Sequence, residues 1–432
     1  MESLENAQKL TEFDVYRPVE TLPVQTKQNL AVLGRQSSSN FPVGARGGAN
    51  VTEYQFAVQN SNFMVLSNTD LCFDIVATLG AEATNAVFRG AHVLFKSITA
   101  SLDNHNIINI QNYADRVADF VVQSQHTKDE LEYYESIMAL NKSLPEDTTT
   151  KFSVRVPLKF FGGEIGTLLP TGSLTTSLRI SATVNDKIYT MFSGNGDGST
   201  APKSISILLN NMRLESEFVE LQPTVKSKIL GYIQSAKGMV IPYHSYAVDT
   251  RSIPAVSSLN QRISMSFNNV VSMYQLPYNV VKLPVGTTGG TTNLYGDIRW
   301  NAENMDEVSS YLVKFEGSGY YNLNSSVGQT GKASHAKALM DSLRTENTIK
   351  GAGGQIVKGI DGYQVLSVNF VRSNNVLSPT ITDSGINAKL FSSSVETSAL
   401  FNSAVTADKA LTTIIKHTSR IIFKTGGFAI VS

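Results

Sequence analysis

From Val51 onward the chain is a succession of short apolar runs, rich in β-branched residues and separated by Asn, Asp, Ser and Gly. Runs this short do not make helices, and turn chemistry between them marks them as strands. A parallel sheet would need a crossover after nearly every strand, usually a helix, and such intervals are missing. The chain is therefore restricted to antiparallel layers that pack face to face, and the spacing favours sandwiches.

The strand pattern has two stretches. Asn62-Phe63-Met64-Val65-Leu66 and Leu71-Cys72-Phe73-Asp74-Ile75-Val76 flank Ser67-Asn68-Thr69-Asp70, which predicts strand, turn, strand. Val87 to Ile98, Ile107 to Ile110, Phe152 to Leu158, Leu174 to Ile180, Ile205 to Leu209 and Phe218-Val219 complete a first group. Between Tyr113 and Leu140, apolar residues recur at three and four, which predicts one or two amphipathic helices. A short helix is expected over Pro223 to Ser235, with proline in its first turn. A second group follows at Ile263 to Phe267, Val270 to Tyr274, Asn279 to Leu283, Tyr363 to Val368, Ile386 to Leu390 and Ile421 to Phe423, with a helix expected at Ala333 to Leu343. The unaided reading is all-β with short helical insertions, two β-sandwiches in tandem. Residues 1–48 show no helix or strand period and include Gln36-Ser37-Ser38-Ser39-Asn40. They are expected to be a flexible arm that orders only against another surface, or a frayed terminus. Residues 49–222 would form the first sandwich, and 223–432 the connecting helix and the second.

Composition narrows the function. With 36 basic and 36 acidic residues the net charge is 0, which argues against a globally basic nucleic-acid binder. Charged residues make up 17%, against roughly 25% in an average domain. That suits a chain that covers much of its surface with copies of itself. The single cysteine, Cys72, rules out an intrachain disulfide and reads as a small buried hydrophobe. Met1-Glu2-Ser3-Leu4 opens no basic and then apolar segment, so no secretory signal is expected, and no apolar stretch is long enough for a transmembrane helix.

No catalytic, cofactor or metal residue is assigned. Gly162-Gly163-Glu164-Ile165-Gly166 fits no dinucleotide or phosphate-loop pattern, and Asn195-Gly196-Asp197-Gly198 lacks the distal Glu of a calcium loop. His92, His105, His126, His244, His335 and His417 show no metal spacing. Glu132 and Glu135 read as a solvated helix face, and Lys226, Lys228 and Lys237 as a small basic stripe.

Several segments together resemble the double-jelly-roll major capsid proteins of tailless icosahedral double-stranded DNA viruses, most closely the polinton-like virus and virophage forms. The segments are Asn62 to Leu71, Val87 to Ile98 with Ser101-Leu102-Asp103-Asn104, and the helical stretch Tyr113 to Tyr134. Val156-Pro157-Leu158 through Leu168-Leu169-Pro170, Leu174 to Ile180, and Val219-Glu220-Leu221-Gln222-Pro223 follow in family order, as do Ile263 to Val281 and Tyr363 to Leu390. The resemblance implies two eight-stranded antiparallel jelly rolls and a homotrimer forming a pseudo-hexagonal capsomer. It implies contact with neighbouring capsomers, with penton and minor capsid proteins, and with enclosed double-stranded DNA without sequence-specific binding. The location implied is the virion capsid, made and assembled inside the host cell; an inner membrane is left open. Phe160-Phe161, Tyr274 and Tyr320-Tyr321 are then candidates for trimer seams, although ordinary core packing is the favoured role of each taken singly. The competing expectations are a glycan-binding β-sandwich protein of a virion or cell surface, with exposed aromatics in a groove, and a β-sandwich hydrolase with converging acids.

Overall fold

The structure is a computed structural model that describes residues 32–48, 51–59, 61–80, 87–102, 105–124, 126, 128–145, 147–165, 168–173, 177–185, 192–193, 205–235, 238–253, 256–279, 308–316, 318–324, 366–370, 388–390, 393–401, 409–424 and 427–431. In chain order the first part holds β1 (Val32–Asn40), β2 (Glu53–Val58), β3 (Phe63–Leu79), β4 (Val87–Phe88), β5 (Phe95–Leu102) and β6 (His105–Ile110). Helices α1 (Ala114–Ser124) and α2 (Lys128–Met138) follow, then β7 (Lys142–Ser143), β8 (Thr148–Pro157), β9 (Glu164–Ile165), β10 (Leu178–Val184), β11 (Phe192–Ser193) and β12 (Ile205–Leu221). Helix α3 (Pro223–Gln234) leads into β13 (Met239–Ile253), β14 (Ser258–Ser264), β15 (Val270–Asn279), β16 (Val308–Phe315), β17 (Ser318–Asn324), β18 (Leu366–Asn369), β19 (Ser394–Phe401), β20 (Lys409–Lys424) and β21 (Gly427–Val431).

The strands make two jelly rolls with one plan. In the first, the sheet β1-β12-β3-β8 faces the sheet β2-β10-β5-β6. In the second, β13-β20-β15-β18 faces β14-β19-β16-β17 in the corresponding order. Every pairing is antiparallel, as the turn-rich sequence requires. Period-two alternation supplies the first core: Tyr54, Phe56 and Val58 point inward from β2, and Leu178, Ile180 and Ala182 from β10. Phe73 and Phe95 meet edge to face between the two sheets, ring centroids 5.6 Å apart.

One sheet serves both rolls. Leu411, Ile415 and Met273 enter the second core, whereas Ile414, Tyr274 and Leu276 join the first. Strand β20 is consequently buried from Leu411 through Ser419 without a break. Such a strand reads as a nearly continuous run, not an alternating one. Helix α1 fills the space on the first-roll side: Val117, Phe120 and Val121 are buried, and so are Asp115 and Asp119. Helix α2 buries Leu131, Tyr134 and Met138 and exposes Glu132, Tyr133 and Glu135.

Three sequence expectations change. Residues 32–48 are not a free arm. Strand β1 pairs with β12 from Val32↔Leu221 to Asn40↔Leu214, and the Val43, Gly48 and Met212 amides donate to Gln55, Leu209 and Arg46 carbonyls. Ser67 to Asp70 is not a turn between two strands but lies inside the single strand β3. Ser216 pairs with Thr69 and Glu217 with Val65, so residues 66–68 bulge out of the ladder. Residues 388–390, expected in a strand, form a 3-10 turn. Strand β13 runs across Arg251, where the sequence reading named no strand. The helix expected at Ala333 to Leu343, the turn at 195–198 and His335 lie outside the described residues. Among the described residues no helix is long and apolar enough to cross a membrane.

Candidate interaction surfaces

The β3 bulge opens a groove of about 450 Å³ on the outer face of β1-β12-β3-β8. Arg35 and Ser37 line it from β1, Asn68 and Asp70 from β3, Arg155 from β8, Ser216 from β12, and Tyr133 from α2. Its charges are paired across strands. Arg155 bridges Asp70 at 3.2 Å and also contacts Glu215, which accepts from Arg213 Nε at 2.9 Å. Arg35 meets Glu217 at 3.1 Å. Partial burial would raise the Glu215 carboxyl, but Arg213 and Arg155 hold it below its ordinary value. Burial wins at Asp70, whose carboxyl is raised despite Arg155. The Ser216 hydroxyl is buried and makes no hydrogen bond. Beneath this face lies Cys72, buried, its thiol pushed up to about 12 by desolvation.

A second polar cluster is internal. Asp119 of α1 accepts from Arg89 Nη2 at 3.0 Å and lies 3.2 Å from His92 Nε2. Asn185 Nδ2 donates to Asp115 at 3.4 Å. These contacts tie α1 to the 3-10 turn Ala91–Leu94. Gly90, at φ +134°, begins that turn, and a Cβ there would lie 2.4 Å from Leu140. A buried charge needs such pairing, so the cluster reads as an anchor for the helix.

The remaining sequence candidates disperse. His126 packs between Tyr134 and Phe160, ring centroids 4.9 and 5.3 Å away. His244 and His417 lie on β13 and β20, with His417 stacked on Phe267 at 3.8 Å. His105 is exposed. Glu132 and Glu135 sit on the outer face of α2, while Lys228 is exposed and Lys226 partly buried on α3. Among the described residues no group of three or more His, Cys, Asp or Glu could hold a metal ion. Phe160, Phe161 and Tyr274 are fully buried within the subunit, which is the core packing favoured for each over a trimer seam. Tyr320 is 41% exposed and touches Phe315 and Phe370. The surfaces that sequence reasoning missed are β1 and the groove beside it, because neither carries an apolar period.

The two ends of the plan differ at their edges. Strand β9 pairs with β13 at Tyr243↔Ile165 and His244↔Glu164, covering the edge of the shared sheet. Among the described residues β1 has only β12 as a partner.

No family profile matches the sequence, and no curated protein matches it. Solved structures do. VP54 of PBCV-1, fitted into a reconstruction of the virophage Sputnik, superposes with TM-score 0.60 at 12% identity, over 92% of this chain and 96% of its own. A chain of the Sputnik virophage gives 0.57 at 8% identity, over 97% and 91%. The Faustovirus major capsid protein gives 0.55 at 11% identity, over 98% of both chains. The fold is the all-β double jelly roll of viral major capsid proteins.

Proposed function

We propose that the chain is a major capsid protein, a structural subunit and not an enzyme, located in the capsid of an icosahedral virion. One observation carries the reading: two jelly rolls of identical plan are fused through a sheet buried on both faces. This is a rigid block whose outer surfaces remain available for neighbours. Its fold extends along nearly the whole length of viral capsid subunits. Rigid blocks with several interfaces, in place of one pocket, are what a closed shell requires.

On this reading the chain forms a homotrimer whose six rolls give a pseudo-hexagonal capsomer. Capsomers contact one another and the penton and minor capsid proteins around double-stranded DNA, which a chain of net charge 0 would enclose without reading its sequence. We place the boundary between rolls at Gln222, where β12 ends and α3 begins, and start the first roll at Val32 instead of residue 49.

Electron microscopy of the purified full chain tests the reading. Pseudo-hexagonal trimers or closed shells are expected. Single-chain particles at every concentration would overturn it.

A further inference from the structure

Helix α1 belongs to the first roll and makes the joint with the second. Phe120 packs on Tyr274 of β15, ring centroids 4.6 Å apart, and Arg116 Nη1 donates to Thr412 Oγ1 of β20 at 2.5 Å. Thr412 also shares a hydrogen bond with Thr250 of β13 at 2.9 Å, so the helix reaches two adjoining strands of the wall. Thr412 and both rings are fully buried.

A neighbouring stripe of the same helix carries two acids. Asp115 and Asp119 are one turn apart, so they share a face, and both are buried. Like charges at this spacing repel. The cations around them are divided unequally. Arg89 and His92, from the segment that leads into the 3-10 turn, both meet Asp119, at 3.0 and 3.2 Å. Asp115 has the neutral Asn185 Nδ2 at 3.4 Å. Burial pushes its carboxyl up to about 6, with Asp119 adding to the rise and with Arg116 and the first amides of the helix opposing it. Two further lysines lie on elements packed against α1. Lys159, on the turn Leu158–Phe161, acts on His126 and Asp70, and Lys96 follows Phe95 on β5.

We propose that Asp115 is a proton-operated latch on the joint between the two rolls. With its carboxyl protonated, the repulsion from Asp119 is gone, no second anion is buried in the helix, and Arg116 is left to Thr412. With the proton lost, α1 carries two buried anions one turn apart. The guanidinium next in sequence is then drawn toward Asp115 and away from β20. The joint is tight in mild acid and looser at neutral pH.

The direction follows from where the proton is held more tightly. The seated helix keeps it up to about pH 6, whereas the same carboxyl in water releases it near 3.8. The latch therefore contributes fully below 3.8 and is lost as pH rises through 6. This runs against His244 and His417 of the same wall, which favour the neutral range for the fold as a whole. The latch is a property of the single subunit and stands apart from the capsid reading.

The test is amide exchange in the full chain over residues 114–124 and 411–416, at pH 5 and pH 7.5, for the wild type and Asp115→Asn. Asparagine copies the protonated carboxyl in shape and charge. Comparing the two proteins at one pH cancels the intrinsic exchange rate and the share of the histidines. The variant is expected to be better protected than the wild type at pH 7.5. Its advantage should shrink about tenfold at pH 5, as a carboxyl raised from 3.8 to about 6 requires. Asp115→Ser, also uncharged and suited to the start of a helix, takes its place if Asp115→Asn does not fold, and the same shrinkage is expected. An advantage equal at both pH values, or none at either, overturns the latch. A response over 114–124 without one over 411–416 overturns its link to the joint. Both of these results leave the capsid reading standing.

Discussion

Phe120 and Tyr274 pack ring on ring, centroids 4.6 Å apart and planes inclined by 46°, and through this contact the helix of one jelly roll is fixed to the wall of the other. Both rings are fully buried. Phe120→Ala should lower stability by about 3–5 kcal/mol, the usual cost of emptying a buried aromatic site. Phe120→Leu should cost clearly less. Urea unfolding monitored by tryptophan and tyrosine fluorescence checks both, and equal losses would contradict the packing argument.

Asp119 neutralises Arg89 inside the first roll, where both side chains are nearly inaccessible. Asp119→Ala leaves a cation buried without its carboxylate and should cost about 3–5 kcal/mol. The Arg35–Glu217 pair is a contrast, since the Arg35 side chain is 62% exposed. Arg35→Ala should change folding stability by no more than about 1 kcal/mol. Comparing the two urea midpoints tests whether α1 is held by this charge.

Acid should weaken the fold below neutral pH. Burial holds His417 down to about 3, and holds His244 well below 6.5, with Lys416 beside it adding to the effect. His126 is held down to about 4, by burial first and by Lys159 second, against Glu130. All three are neutral when folded and take up a proton more readily when unfolded. Stability is therefore fully present above pH 6.5 and is lost as pH falls toward these values. Asp115 acts oppositely, because burial pushes its carboxyl up to about 6. The folded chain keeps that proton where the unfolded chain releases it, so acidification from 6 toward 3.8 restores part of the loss. Asp70, also raised by burial, acts in the same sense as Asp115, and the three histidines outweigh these two carboxyls. The urea midpoint should be lower at pH 5 than at pH 7, with a smaller drop in His417→Gln.

Cys72 should be silent toward thiol reagents in the native protein. It is 2% exposed and its thiol is pushed up to about 12, so almost no thiolate exists at pH 8. Ellman's reagent should release no colour from folded protein at pH 8 and one equivalent in guanidinium, since the chain has one cysteine. Rapid native reaction would mean that the β3 face opens.

Removal of residues 1–48 should damage the first roll and not merely its assembly. That cut takes away all of β1 and the amide and carbonyl partners at Val43, Arg46 and Gly48. The truncated chain is expected to lose its cooperative thermal transition or to aggregate through the bared β12 edge. A truncated chain that melts at the wild-type temperature would show that β1 is dispensable.

Much of this architecture is legible in the residues. Phe152, Val154 and Val156 alternate with Ser153 and Arg155, and the helical spacing of Val117, Phe120 and Val121 is plain. What escapes notice has a common cause: its stabilisation comes from backbone pairing or from distant segments. Gln36-Ser37-Ser38-Ser39-Asn40 has no apolar side to declare, yet pairs with β12 at every residue. Ser67 to Asp70 carries turn chemistry, and the chain spends it on a bulge inside β3. Lys416 and His417 look like surface residues, but they are buried because β20 is covered from two directions. The groove follows the same logic, since Arg35, Asp70, Arg155 and Glu215 are brought together only by strand order. Phe160, Phe161 and Tyr274 follow the commoner role of large aromatics, and tertiary packing takes all three inside.

The wall between the rolls has β20 as its central strand, and β20 lies almost three hundred residues after α1 in sequence. During synthesis α1 therefore emerges long before the strand that covers its underside. A chain that lacked β20 would keep that apolar surface bare, so the first roll reaches its final burial only when the second has been made.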